Sequence, residues 1–415
     1  MFKLYSVILP LVILLSCAAQ TKKDEKSQAD RPEVSDTLTP DADTQADSLL
    51  CGAARMEQYV TEIKGKQVGL VANHTSRIED VHLVDTLLSL NVNVRKIFAP
   101  EHGFRGTADA GEHVADGKDD KTGLPLISLY GSNRKPTGEQ LSGLDVVLFD
   151  IQDVGVRFYT YISTMHYVME ACAESNIPVI ILDRPNPNID LCDGPVLDPA
   201  FSSFVGMHPV PVAHGMTVAE YARMINGEGW MKGGITCDLS WVSCENYTRD
   251  MPYKLPVPPS PNLPNQRSIR LYPTLCFFEA TSLSVGRGTD MQFQIVGHPA
   301  LMEHVDFSFT PKANTGSAHP KFKNETCYGY DLRRDTERFD FKTGELQLQW
   351  LLDIYSSFPD SVTFFDRPGF FDKLAGKKSL RIQMQNGVDA ENIRQSWQED
   401  LTAFKAMREA YLLYE

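Results

Sequence analysis

The fold of this chain is decided by one stretch, Lys96-Ile97-Phe98-Ala99-Pro100-Glu101-His102-Gly103-Phe104-Arg105-Gly106. It is an apolar run that ends at a proline and is followed by an acid, a histidine and glycines that allow a sharp turn. Open α/β proteins bind their ligands at loops that leave the carboxyl ends of strands. The pattern therefore indicates a buried strand that leads into a functional loop.

Three other apolar runs have the same character, and helical patterns lie between them. The four predicted strands cover residues 67–72, 92–98, 144–151 and 178–182. Such near-continuous apolar runs are typical of strands buried on both faces of a parallel sheet. Apolar spacings of three and four predict helices over residues 81–90 and 160–175. This alternation predicts βαβ units and an α/β fold with a doubly wound parallel sheet.

The second half of the chain mixes helical patterns with an extended segment. Thr217, with Glu220 three residues later, predicts a capping box for a helix over residues 218–226. Residues 252–265 are rich in proline and predict a rigid loop, suited to form a wall or a domain edge. Two further helices are predicted over residues 344–357 and 390–414.

The first residues indicate the compartment. Lys3 precedes an apolar stretch at 5–15 that is too short to span a bilayer, which favours a signal sequence. The run Leu14-Leu15-Ser16-Cys17 is typical of a bacterial lipobox, in which Cys17 becomes the lipidated first residue of the mature protein. The alternatives are a plain secretory signal and an uncleaved anchor helix. We expect a lipid-anchored protein of the bacterial cell envelope.

An acidic spacer follows this signal. Residues 18–50 hold eight acids, four bases and no aromatic residue, so they cannot bury enough apolar surface to become ordered. The predicted organisation is a signal peptide at 1–17, a disordered tether at 18–50, a catalytic domain at 51–270 and a smaller α/β domain at 271–415.

The overall composition excludes one class of partner. The chain has 415 residues, a formal net charge of −14 and an isoelectric point of about 5.2, which argues against nucleic acid. Seven cysteines remain beside Cys17, so at least one is a free thiol. Cys237 and Cys244 could form a disulfide in an oxidising compartment, but the sequence does not decide the pairing.

Polar residues follow each of the four predicted strands. Because parallel strands end at one edge of a sheet, these residues are expected to share one cleft. Acids beside arginines push pKa values apart, as acid/base chemistry requires. In chain order the residues are Asn73, His74 and Thr75; Glu101 and His102; Asp150, Asp153, Arg157 and Tyr159; and Asp183, Arg184 and Asn186.

Some of these residues also have structural interpretations. Asp183 and Arg184 would form an ion pair that braces a turn, and Asp150 would cap the following segment. Glu101 is different, because the glycines after it allow a ligand to approach closely. We therefore expect Glu101 to act in the site.

A second acid of interest lies far along the chain. Glu279 follows Phe277 and Phe278, and aromatic surroundings raise the pKa of a carboxyl group and keep it protonated. The alternative is a buried acid paired with Arg287. The turn around Arg287 is suited to presenting an arginine to an anion.

Several kinds of site are excluded or disfavoured. No glycine-rich phosphate loop follows the first strand, so a dinucleotide is not expected, and neither HExxH nor GxSxG occurs. A metal site of His102, His113, Asp150 and Asp153 would match no standard ligand spacing. No cofactor is expected.

Several separated segments together resemble the NamZ family, whose members are exo-β-N-acetylmuramidases of peptidoglycan turnover. They are residues 68–73, 99–106, 149–161, 182–187, 258–264 and 279–289. The resemblance extends from about residue 55 to the end of the chain. It implies a Rossmann-like N-terminal domain, a smaller α/β C-terminal domain and a cleft between them. It also implies that Glu101, in the Glu-His-Gly motif, is the catalytic acid.

The resemblance and the residues together suggest roles. Glycoside cleavage usually needs two carboxyl groups, so Glu279 and Asp153 compete as base or nucleophile, unless the substrate's acetamido group replaces them. The lactyl carboxylate of muramic acid calls for an arginine, with Arg157, Arg184 and Arg287 as candidates. The remaining predicted contacts to the sugar are Asn73, His102, Asn186, His214, Asn262 and Tyr159, with Tyr161 as an alternative stacking partner.

The expected ligands are muramyl glycans derived from peptidoglycan. Two rival functions remain at this point. One is a non-catalytic envelope lipoprotein that binds sugar or peptidoglycan. The other is a metal-dependent hydrolase of amides or phosphoesters.

Overall fold

A parallel sheet organises the first half of the chain. The computed structural model describes residues 48–101, 103–105, 116–302, 305–334 and 344–415. Its strands are β1 (Val68–Ala72), β2 (Arg77–Ile78), β3 (Val81–His82), β4 (Val94–Ala99), β5 (Gly117–Lys118), β6 (Pro125–Ser128), β7 (Val146–Asp150), β8 (Val179–Leu182), β9 (Cys192–Asp193), β10 (Ala213–His214), β11 (Leu239–Val242), β12 (Ile295–His298), β13 (Phe307–Phe309) and β14 (Cys327–Asp331).

Seven of these strands form the main sheet, in the order β11-β8-β7-β1-β4-β6-β5. All neighbouring pairs are parallel except β5 with β6. All four predicted strands are confirmed, as β1, β4, β7 and β8. Strand β6, which lies beside β4, was not among the predicted strands. The fold class, an α/β protein built on a mostly parallel sheet, is also confirmed.

Helices cover both faces of this sheet. The α-helices of the described residues are α1 (Val60–Ile63), α2 (Leu83–Ser89), α3 (Gly138–Leu141), α4 (Tyr161–Glu174), α5 (Val218–Gly227), α6 (Gln266–Leu275), α7 (Leu348–Ser357), α8 (Pro368–Ala375), α9 (Ser379–Gln385), α10 (Ala390–Gln395) and α11 (Gln398–Arg408). Alternate residues of one strand enter different cores: Val147 and Phe149 pack in one cluster, and Leu148 packs in the other. This explains why the strands are apolar on both faces.

The observed helices agree with one predicted helix start and differ from one predicted helix. The capping box of Thr217 and Glu220 is present at the start of α5. The single helix predicted over residues 390–414 is wrong, because the chain divides it into α10, α11 and a short 3-10 turn at Glu409–Tyr411. Between α10 and α11, Trp397 is buried and its indole donates to Asp193 at 3.0 Å. This contact fixes Trp397 between α10 and α11, so the chain does not continue as one regular helix at this point.

The second half of the chain adds a small antiparallel sheet in the order β12-β14-β13. Helices α7 to α11 pack into the same apolar cluster as α4 and α5. The seven cysteines from Cys51 to Cys327 are free thiols, so the disulfide considered for Cys237 and Cys244 is not formed. In the described ranges, no helix has the length and apolar character needed to cross a bilayer. The division at residue 270 remains a prediction.

Candidate active site

A pocket of about 230 Å³ opens where loops leave the carboxyl ends of β4, β6 and β7. Chain segments on both sides of residue 270 contribute to its wall. Its charged residues are Glu101, Glu279, Arg134 and Arg287, and its aromatic residues are Tyr130, Phe158, Tyr159, Tyr161, Phe204, Tyr272 and Phe293. Thr160, Val205, Ser260, Asn262 and Leu263 complete the lining.

Glu101 reaches the pocket because β4 ends one residue before Pro100. The Gly103 amide donates to the Pro100 carbonyl at 3.0 Å, and Gly103 has a φ of +72°, so the chain turns directly after Glu101. The Thr160 hydroxyl donates to Oε2 of Glu101 at 2.9 Å. Burial, followed by the charge of Glu101, raises the pKa of Tyr130, which lines the same pocket. The Thr160 hydroxyl therefore holds the Glu101 side chain in the pocket.

Glu279 is the second carboxyl group of the pocket. It lies on the 3-10 turn Cys276–Ala280, and its Oε1 accepts from Nε of Arg287 at 2.6 Å. Burial disfavours the charge of Arg287, but the Glu279 carboxylate outweighs this and raises the pKa of Arg287. Both alternatives from the sequence thus apply, since Glu279 is paired with Arg287 and also lines the pocket.

The proline-rich loop forms a wall of the pocket, as its sequence suggested. The Tyr159 hydroxyl donates to the Pro259 carbonyl at 2.8 Å, and the Tyr159 and Tyr161 rings meet edge to face at 4.8 Å. Nδ2 of Asn262 donates to the Gly316 carbonyl at 2.7 Å. Its buried Oδ1 accepts no hydrogen bond from any residue described, which leaves an acceptor at the pocket wall.

Asp153 and His214 lie outside the pocket, in the protein interior. Oδ2 of Asp153 accepts from the Gly155 amide at 2.6 Å and lies 4.0 Å from Nε2 of His214. Burial raises the pKa of Asp153 to about 7 and lowers the pKa of His214 to about 3. Of the two competitors for the second carboxyl role, only Glu279 faces the pocket.

Two of the three arginines predicted to bind a carboxylate are structural. Arg157 is fully buried, and its guanidinium donates to the carbonyls of Pro195 at 2.9 Å and Leu374 at 2.8 Å. Arg184 is buried and forms two bonds to Asp150, at 2.6 and 2.9 Å. Neither guanidinium lines the pocket, so this geometry does not support the predicted contacts of Arg157 and Arg184 with a ligand carboxylate.

Asn73 and Asn186 are also structural. Oδ1 of Asn73 accepts from the amide and the hydroxyl of Thr75 at 2.9 and 2.6 Å, which closes a turn after β1. Nδ2 of Asn186 donates to the Met216 carbonyl at 3.0 Å, and its Oδ1 accepts from the Asn188 amide at 2.8 Å. Neither side chain lines the pocket.

The expected ion pair between Asp183 and Arg184 does not form. Asp183 instead accepts hydrogen bonds from the Thr217 hydroxyl at 2.8 Å and from the Ala219 amide at 2.9 Å. Its role is structural, as expected, but its partners belong to the start of α5. The Asp150 carboxylate, expected to be a cap, pairs with Arg184.

His102 and Cys17 lie outside the described residues, as does His113 of the metal alternative. Within the described part of the chain, no group of three or more His, Cys, Asp or Glu side chains is arranged to hold a metal ion.

Tyr130, Arg134 and Phe204 line the pocket but were not identified from the sequence. Tyr130 and Arg134 follow β6, a strand whose apolar pattern is interrupted by Pro125 and Ser128. The signal that could have found them is the apolar run at 124–130, which ends at a glycine in the manner of the other strand-end loops. Phe204 has no comparable signal, because it lies on a turn between irregular segments.

This chain is similar to known proteins over most of its length. The family described as Exo-beta-N-acetylmuramidase NamZ matches at residues 68–267 for its N-terminal part and at 270–414 for its C-terminal part. The chain is 38% identical over 426 residues to the peptidoglycan beta-N-acetylmuramidase NamZ of Bacillus subtilis (strain 168), covering 96% of this chain and 95% of that protein.

Two solved structures of DUF1343 family proteins from Bacteroides fragilis NCTC 9343 share the fold. One has a TM-score of 0.81 and 41% identity, over 89% of this chain and 99% of that one. The other has a TM-score of 0.74 and 30% identity, over 88% and 99% of the two chains. The matched domains and the extent of the identity show that this chain belongs to the NamZ family of exo-β-N-acetylmuramidases.

Proposed function

We propose that this chain hydrolyses the glycosidic bond of a terminal β-linked N-acetylmuramic acid residue in peptidoglycan fragments, with Glu101 as general acid. The observation that carries the proposal is the presence of two carboxyl groups, Glu101 and Glu279, in one pocket. Its volume of about 230 Å³ is below the usual range for ligand sites. A pocket of that size suits one sugar ring, in keeping with action at a chain end.

The chemistry then follows from the side chains. Glu101 donates its proton to the glycosidic oxygen as the bond to the sugar breaks. The hydroxyl group of Thr160 orients its carboxyl group. Glu279 is the second carboxyl group, available to bond to the anomeric carbon or to activate the water that replaces the leaving group, unless the substrate's own acetamido group forms the first bond to that carbon before water enters.

The substitution Glu101→Gln tests the assignment, because glutamine keeps the size of the side chain and removes the proton. Turnover of a chromogenic β-N-acetylmuramide is expected to fall ~10²-fold or more, while binding of N-acetylmuramic acid persists. The matched control is Glu139→Gln, at an exposed position on α3. Unchanged turnover in the Glu101 variant would contradict the proposal, and binding without turnover in the wild type would favour a binding protein.

We also propose that Cys17 carries a lipid that anchors the chain in the bacterial cell envelope. The support is the short apolar stretch that ends in the lipobox-like run before Cys17. Labelled palmitate should enter the wild type and not the Cys17→Ala variant. Absence of label from the wild type would make the proposal wrong.

A further inference from the structure

Arg134 is an exposed arginine at the pocket whose side chain is already held in place. It follows β6, and the carbon centre of its guanidinium lies 4.4 Å from the centroid of the Phe204 ring. Stacking on an aromatic face fixes the plane of a guanidinium and leaves the N–H groups at its edge free to donate.

The Phe204 ring is a supported platform. Ser203 and Gly206 exchange backbone hydrogen bonds of 2.8 and 3.0 Å, so Phe204 lies at the tip of a tight turn. The Ser163 hydroxyl donates to the Phe204 carbonyl at 2.8 Å, and the Tyr167 ring stacks on Phe204 at 6.3 Å with an interplanar angle of 11°. Contacts from α4 therefore set the orientation of Phe204, and through it that of Arg134.

The other arginines near the site are already engaged. Arg157 and Arg184 are buried in structural bonds, and Arg287 uses its Nε to bind Glu279. Among the residues that the structure describes, no carboxylate forms an ion pair with Arg134. Arg134 is thus the pocket cation whose charge is not compensated by a direct partner in the described chain.

We propose that Arg134 binds the lactyl carboxylate of the terminal muramic acid residue and so selects muramic acid over N-acetylglucosamine. The assignment rests on the proposed function, since that function supplies the substrate. A planar guanidinium held by stacking matches a carboxylate in a two-point fork. Phe204 is the positioning residue for this contact.

The test compares two chromogenic β-N-acetylmuramides, one with the free lactyl carboxylate and one with the lactyl amide. For Arg134→Ala, kcat/KM on the acid is expected to fall ~10- to 100-fold, the range for losing hydrogen bonds to a charged group. For the same variant, kcat/KM on the amide should change less than about 3-fold, because the amide has no carboxylate for Arg134 to bind. Arg134→Lys keeps the charge but not the two-point fork, so its kcat/KM on the acid should lie between those of the wild type and Arg134→Ala. The control Arg95→Ala removes an exposed arginine from β4 and should match the wild type.

Equal losses on acid and amide, or no loss on the acid, would overturn the role of Arg134 while leaving the proposed function intact. If the wild type cleaves neither substrate, the proposed function fails instead. Calorimetry with N-acetylmuramic acid and its amide then decides the binding role. If Arg134→Ala binds N-acetylmuramic acid more weakly than the wild type does but binds the amide equally well, the role of Arg134 is supported. If wild type and variant bind N-acetylmuramic acid with equal affinity, that role is overturned.

Discussion

Thr160 illustrates how a residue without chemistry of its own can set the geometry of one that has it. It is buried at the start of α4, where its hydroxyl could have capped the helix, yet it donates to Glu101 across the pocket edge at 2.9 Å. The fixed start of a helix thus constrains a carboxyl group on a strand-end loop. A small displacement of a reacting group is costly to the rate.

Replacing Thr160 by valine keeps the shape and removes the hydrogen bond. We expect kcat on the muramide to fall roughly 3- to 30-fold with KM changed less than about 2-fold, because Glu101 loses an orienting contact and the sugar does not. Thr160→Ser retains the hydroxyl and serves as the control. A change confined to KM, or an unchanged kcat, would show that Thr160 does not position Glu101.

Residue type could be predicted at the strand ends, but side-chain direction could not. Arg157 and Arg184 follow strands just as Arg134 does, and all three are arginines near an acid or an aromatic ring. Only tertiary contacts separate them, since the first two meet carbonyls or a carboxylate inside the protein. For the same reason the sequence predicted the loop that carries Asp153, but not that its side chain is buried in the protein interior outside the pocket.

The loop between β7 and α4 is the element that carries Tyr159, Thr160 and Tyr161 to the pocket, and Gly155 sets its path. Gly155 has a φ of +75°, and an added Cβ would lie 2.2 Å from Nδ2 of Asn186. Asn186 is held by Met216 and Asn188, so it cannot move aside without losing those bonds. The loop and the turn after β8 therefore interlock at this glycine.

Gly143 offers a matched comparison, with a φ of +76° and nothing within 4 Å of an added Cβ. Gly143→Ala should cost about 1–2 kcal/mol for the left-handed backbone alone. Gly155→Ala should cost a further ~1–3 kcal/mol from overpacking. Thermal unfolding would therefore show a clearly lower midpoint for Gly155→Ala, and equal midpoints for the two variants would contradict the interlock.

Strands and helices with a clear local pattern of apolar or capping residues could be predicted from the sequence. Those shaped by contacts between distant parts of the chain could not. The buried strands β1, β4, β7 and β8 and the capped helix α5 follow from local pattern. Strand β6 has four residues, as β8 does, but Pro125 and Ser128 interrupt its apolar pattern. The split between α10 and α11 depends on Asp193, about two hundred residues earlier in the chain.

At the scale of the whole molecule, the end of the chain closes onto the central sheet. The Tyr414 hydroxyl donates to Asp183 at 2.5 Å and accepts from the Cys244 amide at 2.8 Å. The Leu413 amide donates to Glu220 at 2.9 Å. Partners 170 to 231 residues apart leave no local signal, although the family resemblance included this tail.

Asp153 and His214 are buried together, and their pKa shifts predict opposite effects of pH on stability. Burial raises the pKa of Asp153 to about 7, so the folded protein keeps a proton that the unfolded chain releases near pH ~4. Stability from this group is therefore lost as the pH rises from about 4 to about 7. Burial lowers the pKa of His214 to about 3, so stability from that group is lost as the pH falls from about 6.5.

Urea unfolding of wild type, Asp153→Asn and His214→Asn across about pH 4 to 7 separates the two effects. The stability of the wild type relative to Asp153→Asn should fall with rising pH, by at most ~1.4 kcal/mol per pH unit, and relative to His214→Asn it should rise with the same limit. The slopes differ in sign because one group holds an extra proton in the folded state and the other lacks one. Parallel profiles for all three proteins would mean that neither group titrates differently on folding. Opposite slopes would show that the interior next to the sugar pocket tolerates both groups only in their neutral forms.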